Sequence, residues 1–429
     1  MLVDRKARIA SVVRVSSGNF LEMYDFMVFG YYASAIGRAF FPSENPFLSL
    51  MLSLMTFGAG FLMRPLGAIV LGSYADKHGR RKGLMLAIGL MGLGTLSIAV
   101  MPTYAQIGVL GPALIVVGRM LQGLAAGVQV GGASVYLAEI APPGKKGFYV
   151  SWQSASQQVA VMFAALVGVV LTAALTKAQM ASFGWRIPFL LGCSLIPVLF
   201  VVRRWLEETP AFLAQKDPPK FYAVLGSFFR NTKTVLLGAM LATMTTVFFY
   251  MITSYTPTYG STVLKLSVQD SLLVTLCVGL ANFILLPTMG ALSDRVGRKP
   301  LLLICAVAGL LTPYPALLWL VQAPSFARLL GVELWLALIY GSYNGAMIVF
   351  LTEVIPAKVR TTGFSFAYSL ATAVFGGFTP AISTSLIRYA QQNNYGHAQA
   401  VPGLWLSMAA IIGLIAALIL KEHRHGEQS

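Results

Sequence analysis

Four charged residues sit where an apolar chain should not tolerate them. Glu22 and Asp25 lie one helical turn apart in "GNFLEMYDFMVFGYY" (18–32), Arg64 interrupts "FLMRPLGA" (61–68), and Arg119 interrupts "GRMLQGLAAG" (118–127). A carboxylate in an apolar helix can bind and release a proton, while the planar fork of a guanidinium can hold a carboxylate through two parallel hydrogen bonds. Each such charge costs on the order of 2.5–3.5 kcal/mol at mid-depth in a membrane. Two acids and two bases sum to zero, so pairing, Asp25 with Arg119 for one, would offset the penalty. Two readings stay open: structural ion pairs tying three helices together, or a site for protons and an anion. Depth favours the second. At about 1.5 Å per residue, Asp25, Arg64 and Arg119 fall within roughly two turns of the midplane, with Glu22 about a turn nearer one face. A structural or gating role for Glu22 is as plausible as a titrating one.

The elements that must position these groups follow from composition. Of 429 residues, 57% are hydrophobic and 11% charged, with a mean hydropathy of +0.73, which is the make-up of a polytopic membrane protein. Cutting at polar punctuation leaves twelve apolar stretches, the first near 16–41 and the last near 401–420, where about 20 residues suffice to span a bilayer as a helix. The expected fold is all-α and integral to the membrane. A formal charge of +16 raises the question of nucleic acid, but the cations cluster by loop. Lys77, Arg80, Arg81, Lys82, Lys145, Lys146, Arg203, Arg204, Arg295, Arg298, Lys299, Lys358 and Arg360 all follow even-numbered helices. That bias predicts cytoplasmic termini, and no cationic stripe interleaved with aromatics argues for nucleic acid. The basic start "MLVDRKAR" mimics a signal peptide, yet Glu22 and Asp25 make a cleaved apolar region implausible, and the segment is read as a retained first helix. Cys193, Cys277 and Cys305 lack paired or metal-ligand spacing and are read as core residues.

The chain repeats itself. "YADKHGRRKG" (74–83) returns as "LSDRVGRKPL" (292–301), so Asp76, Gly79 and Arg80 map onto Asp294, Gly297 and Arg298; Glu139 in "AEIAPPGKKG" (138–147) maps onto Glu353 in "TEVIPAKVRTTG" (352–363). Two repeated motifs at half the chain length mean two six-helix halves. The expected division is an N-terminal bundle over 1–204, a polar linker over 205–232 and a C-terminal bundle over 233–429. The short loops need tight turns, which Gly79 and Gly297 can supply, while Arg80, Arg81 and Arg298 anchor them. Glu139 and Glu353 are expected to bond to Arg80 and Arg298 as an inner gate.

A loop of this kind after the second helix of each half resembles the signature of the major facilitator superfamily, over essentially the whole chain. "GNFLEMYDF", "FLMRPLGA" and "GRMLQGLAAG" further resemble its metabolite/proton symporters. "SWQSASQQVA" (151–160), "YTPTYG" (255–260), "YNGAM" (343–347) and "FGGFTPAIST" (375–384) look most like the bacterial citrate/proton symporters and their tricarballylate-transporting relatives. The resemblance implies twelve helices in two pseudosymmetric bundles, and proton coupling through Asp25 and Arg119, with Glu22 a further candidate. It implies inward, proton-coupled movement of a tricarboxylate across a bacterial cytoplasmic membrane, by a carrier working as a monomer. The alternative solutes are 2-oxoglutarate, shikimate and betaine or proline. The proline-glycine motif of the family's drug antiporters is absent from "ASQQVAVMFAALVGVVLTAAL" (155–175), which fits symport.

Besides Arg64 and Arg119, the candidate substrate contacts are polar residues on helix faces: Ser151, Ser154 and Gln158, then Thr246, Tyr250 and Thr253, then Tyr343 and Asn344. Any one of them is more often an interhelical hydrogen bond than a ligand contact; as a group they suit an oxygen-rich solute. The second half is read as almost free of charge at mid-depth. No Walker loop, zinc-ligand set or nucleophile motif points to an enzyme, and neither metal nor cofactor is called for. The tail "KEHRHGEQS" is read as too short for a signalling region.

Overall fold

The computed structural model describes residues 5–78, 80–127, 129–204, 230–356 and 360–421. Among them all regular structure is helical, in twelve long segments. The first half comprises α1 (Arg5–Tyr31, continued as Ala33–Phe40), α2 (Pro46–Leu62, continued as Arg64–His78), α3 (Arg80–Val100), α4 (Leu110–Ala126, continued as Gln129–Ile140), α5 (Lys146–Ala174) and α6 (Ile187–Arg204). The second comprises α7 (Thr232–Tyr250, prolonged by irregular turns to Val263), α8 (Val268–Val296), α9 (Arg298–Leu311 and Pro313–Gln322), α10 (Phe326–Val354), α11 (Arg360–Ala371 to Thr379–Gln392) and α12 (Pro402–Ile419). The expected linker lies almost wholly outside the described residues.

Ten of these helices are long and apolar enough to cross a membrane. The other two are α3, whose apolar part runs only over Met85–Val100, and α1, where Asn19, Glu22 and Asp25 dilute the hydropathy. With them the count reaches the expected twelve. Local chemistry sets the ends: Asn45 caps α2 by accepting the Phe47 N–H at 3.0 Å ahead of Pro46, and Ser267 and Ser325 cap α8 and α10, each satisfying a donor that the first turn leaves open. Of the apolar windows, 83% is buried in α7 and α10, against 28% in α6 and 33% in α9. The former line the middle of the molecule and the latter face lipid with side chains such as Ile304 and Val198.

Three glycines of α4 divide their work. A Cβ at Gly123 would run into the Gly60 carbonyl, and one at Gly127 into the Arg64 backbone, so both let α4 touch α2; Gly131 instead meets Ser365 of α11. Between the bundles, Gly147 of α5 crosses Gly290 of α8 near the repeated loop, while at the far end Gly58 of α2 lies under the Phe378 ring and Gly30 of α1 against Ser254. The bundles touch at both ends.

Candidate functional site

The polar centre grows from α1. Glu22, Asp25, Arg64 and Arg119 are all at most 1% exposed. Arg64 opens the second segment of α2 just after the break at Met63, and its Nη2 donates to Glu22 Oε1 at 2.7 Å in a direct ion pair. Asp25 does not pair directly with Arg119 as the sequence reading supposed. Its Oδ2 accepts from the Thr95 hydroxyl of α3; Gln122 Nε2 donates to that hydroxyl at 3.1 Å, and Arg119 Nη1 donates to Gln122 Oε1 at 2.7 Å. A three-bond relay thus separates acid from base. The reason is steric: Gly118 and Gly94 bring α4 against α3, so Gln122, one turn beyond Arg119, fills the gap that the guanidinium would have to cross.

Neither arginine is balanced by carboxylates alone. Arg119 lies over the rings of Phe26 (4.6 Å) and Phe29 (4.5 Å) and donates to the Phe57 carbonyl at 3.3 Å; Arg64 lies 5.6 Å from the Phe61 ring and 5.8 Å from Phe26. Phe26 therefore stands between the two cations, and each ring face contributes roughly 0.5–2 kcal/mol to a desolvated cation. The Nε atoms of both arginines and Asp25 Oδ1 have no hydrogen-bond partner, so the centre keeps unused capacity for another polar group. From the other bundle, Tyr250 packs edge-on against Phe57 and Phe61, with centroids at 6.0 and 5.0 Å, and it lies within electrostatic reach of Arg64 and Arg119. Tyr368 reaches Arg64 in the same way.

The remaining candidates separate. Gln158 is fully buried with both amide atoms unpartnered, and Asn344 has an unpartnered Oδ1 although its Nδ2 donates to Tyr340 at 3.3 Å. Asn282 of α8, overlooked in the sequence, is buried with both amide atoms unpartnered. Gln158, Asn282 and Asn344, on α5, α8 and α10, thus each keep at least one buried amide atom that a polar ligand could complete. Other hydroxyls are already spent. Thr246 donates to Thr243 O at 3.2 Å and Thr253 to Phe249 O at 2.5 Å within their own helix, and Ser154 donates to Gln153 Oε1 at 2.8 Å. Tyr343 donates to Leu241 O at 2.9 Å and tucks beneath Gly413 inside the second bundle. Ser151 belongs to the α5–α8 crossing, its hydroxyl on Phe148 O at 2.9 Å and beside Gly290. Tyr343 and Ser151 both pack at helix crossings.

Of the expected inner gate, the second-half part is described. In the second half, Arg298 Nη2 meets Asp294 Oδ1 at 2.7 Å and Glu353 Oε1 at 3.3 Å, and Gly297 between them turns at φ 94°, a backbone state that costs other residues strain. Asp294 also accepts the N–H groups of Gly147 and Phe148 at 2.8 and 3.0 Å, capping the first turn of α5 across the bundle interface. Gly79 and the side chains of Asp76, Arg80 and Arg81 lie outside the described residues, and Glu139 is exposed. Missed altogether was Glu333 of α10: the second half does hold a buried carboxylate, 0% exposed.

This construction matches known proteins. The Major Facilitator Superfamily profile matches residues 15–374, and the chain is 53% identical over 417 residues to a citrate-proton symporter of Salmonella typhi, covering 97% of this chain and 95% of that one. The chain belongs to the major facilitator superfamily. A citrate-proton symporter of Klebsiella pneumoniae is 54% identical over 414 residues, 96% of this chain and 92% of the other. Among solved folds of the superfamily, the xylose transporter of E. coli in a partially occluded inward open conformation superposes with a TM-score of 0.75 at 18% identity, covering 96% of each chain. The shared fold is that of transporters, not enzymes.

Proposed function

We propose that this superfamily member is a secondary carrier that moves citrate, or a closely related tricarboxylate, into the cell together with protons. The observation that carries the reading is a pair of fully buried arginines, each balanced by an acid of α1, at the meeting of two bundles, in a chain more than half identical to proteins named citrate-proton symporters. Citrate at neutral pH carries two to three charges and cannot enter a low-dielectric centre without cations. Protonating Glu22 releases Arg64 from its direct pair, and protonating Asp25 removes the charge that balances Arg119 through the Thr95–Gln122 relay. Each event exposes a guanidinium to a carboxylate, so proton and anion bind with positive coupling. The amides of Gln158, Asn282 and Asn344 suit the remaining oxygens. Proton co-transport also offsets the work of bringing an anion into a negative cell, about 2.3 kcal/mol per charge per 100 mV.

The finer organisation belongs to the same reading: bundles over 1–204 and 233–429 joined by a linker over 205–232, a monomer in the bacterial cytoplasmic membrane, both termini and the Arg298 gate on the cytoplasmic side, as the distribution of Lys and Arg argues. A competition panel tests the substrate. Purified protein is challenged with citrate, tricarballylate, 2-oxoglutarate, succinate, shikimate and betaine at two pH values, with thermal shift and uptake as readouts. Citrate or tricarballylate should stabilise the protein most, and more at the lower pH; binding of betaine or shikimate with no response to any carboxylate would refute the substrate and leave the fold untouched.

A further inference from the structure

Glu333 takes no part in the centre around Asp25, Glu22 and the arginines. It lies seven residues into α10, about 10 Å along the helix from its start, toward the end opposite the Arg298 gate. Its side chain is fully buried and neither carboxylate oxygen has a hydrogen-bond partner. Two residues of α7 face it, Thr256 and the titratable Tyr259. The Tyr259 hydroxyl donates to Gln399 O at 2.7 Å, and the Thr256 hydroxyl lies at the carboxylate and within 3.2 Å of Met251 O. Among the described residues no Lys, Arg or His lies within ion-pair distance of it, and no charged side chain of the helices packed on α10, namely α4, α5, α7, α8, α9 and α11, acts on it. An ionised carboxylate buried without a counter-cation is penalised by several kcal/mol.

The element that faces it is irregular. Past Tyr250, α7 runs through a π turn (Met251–Tyr255), one α turn (Thr256–Thr258) and a second π turn (Tyr259–Val263). Pro257 sits between them without an N–H to donate. Each π turn stores one extra residue, and relaxing one to α-helix rotates the residues beyond it by about 100°. That rotation turns Thr256 and Tyr259 away from Glu333 without unfolding α7.

We propose that Glu333 is a second proton-binding site of the carrier, housed in the second bundle and opened or closed by the π-helical end of α7. It rests on the proton-coupled reading above. When α7 rotates with the carrier open at the end opposite Arg298, the carboxylate takes a proton from hydronium, one O–H breaking there and one forming on Glu333; when α7 closes, the O–H is sealed in, and the proton returns to water when the carrier opens at the Arg298 end. Nothing else is broken or formed.

The experiment is the proton-to-citrate ratio in proteoliposomes, read from the membrane potential at which net citrate flux reverses, for wild type, Glu333→Gln and Glu333→Met. Both variants should keep citrate binding and citrate counterflow while carrying one proton fewer per citrate. The infrared band of a protonated carboxyl, present in the wild type, should diminish in each. Two neutral replacements of similar volume guard against one that fails to fold. A ratio equal to that of the wild type, with the carboxyl band unchanged, would overturn the assignment. If wild type itself moves no protons with citrate, it is the transport reading that fails; the band, present or absent, then decides the protonation of Glu333 by itself.

Discussion

Arg64 and Arg119 reach the centre by different means, and that sets what their replacement does. Arg64 is held by one direct ion pair and Arg119 by an amide, a backbone carbonyl and two aromatic faces. Lysine keeps the charge but loses the fork and the flat face that stacks on Phe26. Arg64→Lys and Arg119→Lys should each lower citrate uptake by one to two powers of ten, the equivalent of losing about 1.5–3 kcal/mol from one charge-assisted pair; uptake within twofold of wild type would reduce both to generic positive charges. Asp25→Asn leaves an acceptor for Thr95 but nothing that titrates, so counterflow should persist while pH-driven accumulation disappears. Undiminished accumulation would remove Asp25 from the coupling. At this scale the sequence was only partly legible. An acid in "LEMYDF" declares itself because charge in an apolar run has few uses, whereas Thr95 and Gln122 look like any other polar residues until α3 and α4 are brought together. Glu333 was visible as a letter in "GVELWLALIY", but its depth depends on α10 being among the most buried helices, which no local pattern reveals.

The helices carry their own record of function. In α4, Gly123 packs on Gly60 and Gly127 on the Arg64 backbone. Gly123→Leu should therefore push α2 from α4, displace Arg64 from Glu22 and lower the thermal midpoint by several degrees, since overpacking of a well-packed contact costs about 1–3 kcal/mol; a midpoint equal to wild type would mean that α2 and α4 are not in tight contact. The π turns of α7 and α11 could not be read in advance, because "YTPTYG" and "AVFGGFTP" signal a break by proline and glycine without saying whether the backbone kinks or widens. Likewise, the repeated loop was evident, yet its partner was not: Asp294 caps α5 of the other bundle. Asp294→Ala removes that cap and the Arg298 pair together, and alkylation of a cysteine placed at 148 should speed up several-fold. An unchanged rate would mean that the bundles are held together elsewhere.

At the level of the whole molecule, hydropathy and repetition were sufficient to expect twelve helices in two bundles, since span length and charge bias are fixed by the bilayer and not by tertiary detail. What they could not convey is the state of the machine. The bundles meet at both ends, through Gly147 and Gly290 on one side and Gly58 under Phe378 on the other. The central claim, that buried arginines and acids of α1 bind an anion and protons together, is tested most directly by reconstituting the protein in liposomes that contain a pH-sensitive dye and adding external citrate at zero membrane potential. The account predicts internal acidification that saturates with citrate, runs in step with its entry and vanishes in Asp25→Asn. Entry of citrate with no change in internal pH, or acidification driven by betaine and not by citrate, would contradict it.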